Sequence, residues 1–164
     1  MAFDAYLKID GIDGEATDDK HAKWIGVQSY SVGVSQPHQG SVSSGGGRTA
    51  GRADAKNLVV NKMIDMASPK LQLYCCEGTS IPKITLEVCQ HTGEKHTFAT
   101  VTLEDAIISS INVDGKANGD TNKPMESVSF AYSTISWEYT PIDNKGKKQA
   151  AVKQGWDFDK NKKK

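Results

Sequence analysis

The chain has 164 residues, of which 37% are hydrophobic and 24% charged, with a formal net charge of zero. That balance excludes a disordered polyelectrolyte and gives enough bulk for one domain with its own core. No apolar run approaches the roughly 18 residues of a membrane-spanning helix, and three cysteines, an odd number, argue against a disulfide scaffold and for synthesis in a reducing compartment.

Phe3 to Ile9 alternates Phe3, Ala5, Leu7 and Ile9 against Asp4, Tyr6 and Lys8, which predicts a half-buried strand. A Gly/Asp turn region follows from Gly11 to Asp19. Trp24 to Ser35 predicts a second strand, but its apolar set changes parity, from Ile25 and Val27 to Tyr30, Val32 and Val34. Ser29, Ser31, Gly33 and Ser35 then form a small, uncharged stripe on the other face. Pro37 to Arg52 carries Gly40, Gly45, Gly46, Gly47 and Gly51, a length that marks a mobile or functional loop. Asp54 to Ile64 reads as a strand. Ser68 as N-cap, Pro69 at the first helical position and Gly78 just past the end predict a two-turn helix, with Leu71, Tyr74 and Cys75 on one face.

Strands are predicted from Pro82 to His91, around Phe98 to Leu103 and from Ala106 to Val113, with a hairpin turn at Gly93-Glu94. The clearest strand runs from Pro124 to Pro141. Val128, Phe130 and Tyr132 are even-numbered, whereas Ile135, Trp137 and Tyr139 are odd. One flat strand cannot put both sets on one face. Either a bulge lies near Ser133-Thr134, or one half serves the subunit's own core and the other a neighbour. Val152 to Phe158 predicts a terminal strand. Two long strands with the same parity switch predict a mainly β, compact barrel of two curved antiparallel sheets with one short flanking helix. The domain spans 1–158, followed by a lysine-rich tail at 159–164. Residues 145–164 carry a net charge of +6, so residues 1–144 carry −6, and the two ends could meet between stacked copies.

Catalytic signatures are missing. Gly46-x-x-x-x-Gly51-Arg52-Ala53 lacks the lysine and hydroxyl of a phosphate loop. Cys75, Cys76 and Cys89 with His91 and His96 show no zinc-ligand spacing, and no Gly-x-Ser-x-Gly elbow is present. The expectation is therefore no catalytic, cofactor or metal residue, no nucleic acid and no membrane.

Several stretches in order resemble the haemolysin-coregulated protein (Hcp) family, the tube subunit of bacterial type VI secretion systems. They are the opening Met1 to Ile9, Gly14-Glu15, Lys20-His21, the glycine loop at Gly45 to Gly51 and the helix after Ser68-Pro69. Val128 to Tyr132, Trp137-Glu138-Tyr139-Thr140-Pro141 and Gly155-Trp156 complete the set. The resemblance implies a fold similar to phage tail-tube proteins, a homo-hexameric ring and stacked rings. It also implies a spike protein and contractile sheath proteins as partners, and small protein effectors as cargo. It implies synthesis in the bacterial cytoplasm and export; the opening Met1 to Lys8 shows no signal peptide. Under it, Ser29, Ser31, Gly33 and Ser35 would face the lumen. Gly45, Gly46, Gly47 and Arg48 would mediate stacking, and Phe130, Tyr132, Ile135, Trp137 and Tyr139 would form core or subunit interface. A plain tube subunit without a fused toxin domain is expected. The competing readings are a monomeric β-barrel that binds a small ligand or carbohydrate, and a β-barrel hydrolase.

Overall fold

The computed structural model describes residues 2–39, 49–119 and 123–164. The proposed stacking residues Gly45, Gly46, Gly47 and Arg48 lie outside them. The elements are β1 (Asp4–Ile9), β2 (Ile25–Val27), β3 (Ser29–Ser35), β4 (His38–Gln39), β5 (Thr49–Ala50), β6 (Asp54–Met63) and α1 (Ser68–Glu77). They continue with β7 (Ile81–Thr92), β8 (Glu94–Asp114), β9 (Met125–Tyr139), β10 (Val152–Asp157) and β11 (Lys162–Lys163).

One antiparallel sheet runs β11-β10-β9-β8-β7-β1-β2, and β6 joins β9 to β3. Only Gln28 separates β2 from β3, and its N–H donates to Asn61 on β6. The pairings therefore pass from β1 through β7, β8, β9, β6 and β3 and return to β1 by way of β2, the circuit a barrel requires. Leu7, Ile25, Leu58, Val60, Ile84, Leu86, Leu103, Phe130 and Ile135 fill its interior.

The parity switch has a shared physical origin. On β9, Phe130 and Ile135 belong to the same core, so the strand does not turn its back on it. β8 switches at the same level, from Leu103 to Ala106, and β7 from Ile81 to Ile84. Register is kept across this level: Ile81 pairs Ala106 and Ala106 pairs Tyr132, while Ile84 pairs Leu103 and Leu103 pairs Ile135. Each strand inserts one extra residue on the same line, Pro82, Asp105 and Ser133. Asp105 takes φ 51°, the left-handed conformation that this sharp local bend requires. Proline, with no N–H to give, suits the outer strand of that line. The result is a crease across three strands. It also merges the two strands predicted around Phe98–Leu103 and Ala106–Val113 into the single long β8, bent rather than broken.

The helix forms where predicted, and Gly78 ends it at φ 65° with its N–H on Tyr74 O. Ser68, however, is not its N-cap: Ala67 precedes the first turn, and no side chain caps it. The Ser68 hydroxyl is drawn inward to the Glu126 carboxylate instead. The lysine-rich end also differs from a free tail. β11 folds back on β10, Lys164 pairs with Glu104, and Arg52 donates to the carbonyls of Phe158 and Asp159.

Candidate functional site

Three features stand out: an apolar margin, a polar face of serine and asparagine, and a buried polar cage.

The margin follows from rows of paired residues that cross β7, β8, β9 and β10 on the core side. The row Ile84, Leu103, Ile135 and Trp156 is buried along most of its length. The row Leu86, Val101, Trp137 and Gln154 is covered at β7, half-covered at Val101 and Trp137 and exposed at Gln154. In the row Val88, Ala99, Tyr139 and Val152, exposure climbs from 3% at Val88 to 54% at Tyr139 and 59% at Val152. The core face thus emerges into solvent along β9 and β10. Phe98 packs its ring edge-on to Tyr139, and a depression of about 360 Å³ opens between Val101, Trp137, Tyr139 and Val152.

The polar face lies on the opposite side of β3, β6, β9 and β8. Ser29, Ser31 and Ser35 are exposed and Gly33 is half-exposed, its missing side chain overlain by Lys56. Asn61 donates to the Ser29 hydroxyl at 3.0 Å. Asn57 donates to Ser109 at 3.0 Å and to Ser129 at 3.2 Å. Those bonds extend the small polar stripe read from β3 across three further strands; the charged residues beside it are Lys56, over Gly33, and Asp54, opposite Ser35.

The buried cage centres on His21, which is 2% exposed. The segment before β2 turns back on itself: Gly14 N–H donates to Lys23 O, Ala16 N–H to Trp24 O, and Lys23 N–H to Ala16 O. That loop drops His21 onto β1 and β7. The ring stacks on Tyr6 at 4.4 Å and meets Trp24 edge-on at 4.8 Å. Its Nδ1 lies 2.7 Å from Asp18 Oδ2 and its Nε2 lies 2.7 Å from Glu87 Oε2. Hydrogen bonds from Lys95 first, and from His21 second, hold Asp18 well below the usual carboxylate range. Burial alone would lower the Lys95 ammonium, but its bonds to Asp18, Tyr6 and Asp4 outweigh that and hold it above an ordinary lysine.

Cys89 Sγ sits 3.9 Å from His21 Nε2, so thiol, imidazole and Asp18 are arranged much like a nucleophilic triad. The chemistry does not follow. Cys89 has no exposure, burial pushes its thiol up rather than toward thiolate, and Glu87 occupies the Nε2 that a base would need free. A further open groove of about 910 Å³ mixes Asp4, Glu15, Asp65 and Lys123 with Phe3, Val27 and Met63. It is not the enclosed apolar pocket that a ligand-binding barrel predicts.

The sequence profile described as "Type VI secretion system effector, Hcp" matches residues 6–139. The chain belongs to the Hcp family of type VI secretion proteins. It is 32% identical to Protein hcp1 of Pseudomonas aeruginosa over 98% of both chains. It is 27% identical to the Major exported protein of the same organism, over 85% of this chain and 90% of that one. Among solved structures, one described as a type six secretion system protein superposes with a TM-score of 0.93 at 38% identity, over 99% of this chain and 100% of that one. Hcp1 from Salmonella typhimurium superposes with a TM-score of 0.80 at 33% identity over the whole of both chains. Hcp membership makes the chain a structural secretion protein rather than an enzyme, and its mainly β architecture with one helix is the Hcp fold.

Within that family frame, the residues singled out for interface or core divide. Phe130 and Ile135 are wholly inside the chain's own core. Tyr132 is half-buried, its hydroxyl donating to Lys56 O at 2.7 Å. Trp137 is half-buried and Tyr139 exposed, both on the margin. The structure also shows residues that sequence reasoning missed. Lys62 and Glu126 form a fully buried ion pair, and the signal was present: each sits at an inward-parity position, beside Leu58 and Val60 on β6 and Val128 and Phe130 on β9. His21 had no such signal, because Asp18 and Trp24 lie close by in sequence but the partners that enclose it, Tyr6, Glu87 and Cys89, come from β1 and β7.

Proposed function

We propose that this chain is the tube subunit of a type VI secretion system. Six copies close a ring, rings stack, and a contractile sheath drives the resulting tube, tipped by a spike protein, out of the cell. The observation that carries the reading is the apolar margin of β9 and β10. It continues a completed core into solvent and ends in Tyr139 and Val152. A contact that joins this margin to a different surface of the next copy is heterologous and closes into a ring at a fixed rotation. Export accords with the Pseudomonas aeruginosa relative named Major exported protein. The basic end, held on β10 as an ordered edge, and the acidic segment before His21 supply opposite charge for stacking.

The test is mass. The purified chain is expected at six times 17.8 kDa by light scattering; a stable single chain at working concentration overturns the reading. Tyr139→Asp with Val152→Asp removes two apolar side chains from each contact, about 3–6 kcal/mol at each of the repeated interfaces. The variant is expected to run as a single chain with an unchanged circular dichroism spectrum. An intact ring would place the interface elsewhere.

The Ser/Asn face supports a lumen that holds small effectors through many weak contacts. Ser31→Arg is expected to leave ring mass unchanged and to abolish co-purification of co-expressed effectors. Full retention would remove Ser29, Ser31, Gly33 and Ser35 from the lumen.

A further inference from the structure

We propose that His21, Glu87 and Cys89 form a binding site for one divalent transition-metal ion of the zinc type. Their donor atoms, Nε2, a carboxylate oxygen and Sγ, all lie within 4.8 Å of one another. Tetrahedral zinc holds nitrogen and oxygen at about 2.0–2.2 Å and sulfur at about 2.3 Å, which sets its ligands roughly 3.3–3.7 Å apart. Nε2 and Sγ, at 3.9 Å, are already near that spacing. Glu87 Oε2, at 2.7 Å from Nε2, has to withdraw by less than roughly 1 Å for an ion to enter.

The surroundings are those of a metal site. Asp18 accepts from Nδ1, which fixes the tautomer and leaves Nε2 as the ligand. The Thr97 hydroxyl donates to Glu87 at 3.1 Å and touches Cys89 Sγ at 3.3 Å, so one side chain orients two ligands. Tyr6 stacked on the ring and Trp24 against its edge stop it rotating. The Lys95 ammonium is already held by Asp18, Asp4 and Tyr6. Glu87 is 25% exposed beside a fully enclosed His21 and Cys89, so the ion enters from the carboxylate side and keeps a water as fourth ligand. Binding releases the Cys89 thiol proton, since the thiolate is the ligand. The ion supplies the positive charge that the buried thiol lacks. Three donors with one sulfur favour zinc over calcium or magnesium, which take oxygen shells.

Cobalt(II) is the probe, added to the reduced full chain carrying Cys75→Ser and Cys76→Ser, since Cys76 is exposed and Cys75 half-exposed. The expected result is saturation at one ion per chain, with a sulfur-to-cobalt charge-transfer band, tetrahedral visible bands and displacement by zinc. Cys89→Ser should abolish the charge-transfer band, and Glu87→Gln should weaken affinity about 10–100-fold. The Glu87 variant, at a partly exposed position, keeps the test decisive should the buried serine prevent folding. Absence of the band, its survival in Cys89→Ser, or unchanged affinity in Glu87→Gln overturns the proposal. None of these outcomes bears on ring formation.

Discussion

Glu126→Ala is expected to destabilise the fold by about 3 kcal/mol, because it removes one of the two carboxylates that balance a buried ammonium and leaves Asp65 alone. Lys62 has no exposure and stands directly opposite Glu126 across β6 and β9. Its Nζ lies 3.3 Å from Glu126, 2.9 Å from Asp65 and 3.3 Å from Ser68, and donates to Met63 O at 3.0 Å. These contacts tie the β6–α1 turn to the inner sheet. The arrangement is incomplete: Glu126 Oε1 is buried with no hydrogen-bond partner among the described residues. Desolvation of the pair is therefore poorly compensated. It follows that Lys62→Met with Glu126→Leu should recover most of the loss or exceed the parent, whereas either single change should not. Denaturant titration at one fixed protein concentration checks both. A single-variant loss below about 1 kcal/mol would mean that the pair is solvated in solution.

Gly14→Ala is expected to destabilise the fold by about 1–3 kcal/mol, toward the upper end. A β-carbon there would stand 2.4 Å from Trp24 O and 2.7 Å from Ile25 Cα. Both obstacles are backbone, so no rotamer change relieves them. The 14–16 segment must lift away from 23–25, giving up the Gly14 and Ala16 hydrogen bonds that seat His21. The signature beyond lost stability is local: amide exchange should quicken from Gly14 to Ile25 while β8 and β9 stay protected. Wild-type exchange across 14–25 would show that the two segments are not packed together in solution.

Much of the fold was legible because it rests on period-two alternation, and its exceptions were legible too. The odd and even sets on β9 left two readings, a bulge near Ser133-Thr134 or halves that face opposite ways, and the shared core of Phe130 and Ile135 decides between them; Gly93 and Gly78 marked turns that the backbone makes at φ 93° and φ 65°. The same reading split β8 at Asp105, because a one-residue insertion in a continuous strand and a break between two strands look alike in sequence. Ser68 illustrates a different limit. Its position before Pro69 suits an N-cap, but a buried carboxylate 58 residues away outcompetes the helix for the hydroxyl. Of the surfaces, the Ser29–Ser35 stripe was visible on its own strand. Its continuation through Asn57, Ser109 and Ser129 needed the pairing order, as did the cage around His21.

The crease along Pro82, Asp105 and Ser133 limits how related chains can vary in length. Each strand counts one residue more than a flat ladder would, and all three count it at the same step. Losing or gaining a residue in one of them alone would turn everything beyond that step inside out. A viable change must be made in all three at once, which leaves loops and ends as the places where this scaffold can lengthen or shorten one residue at a time.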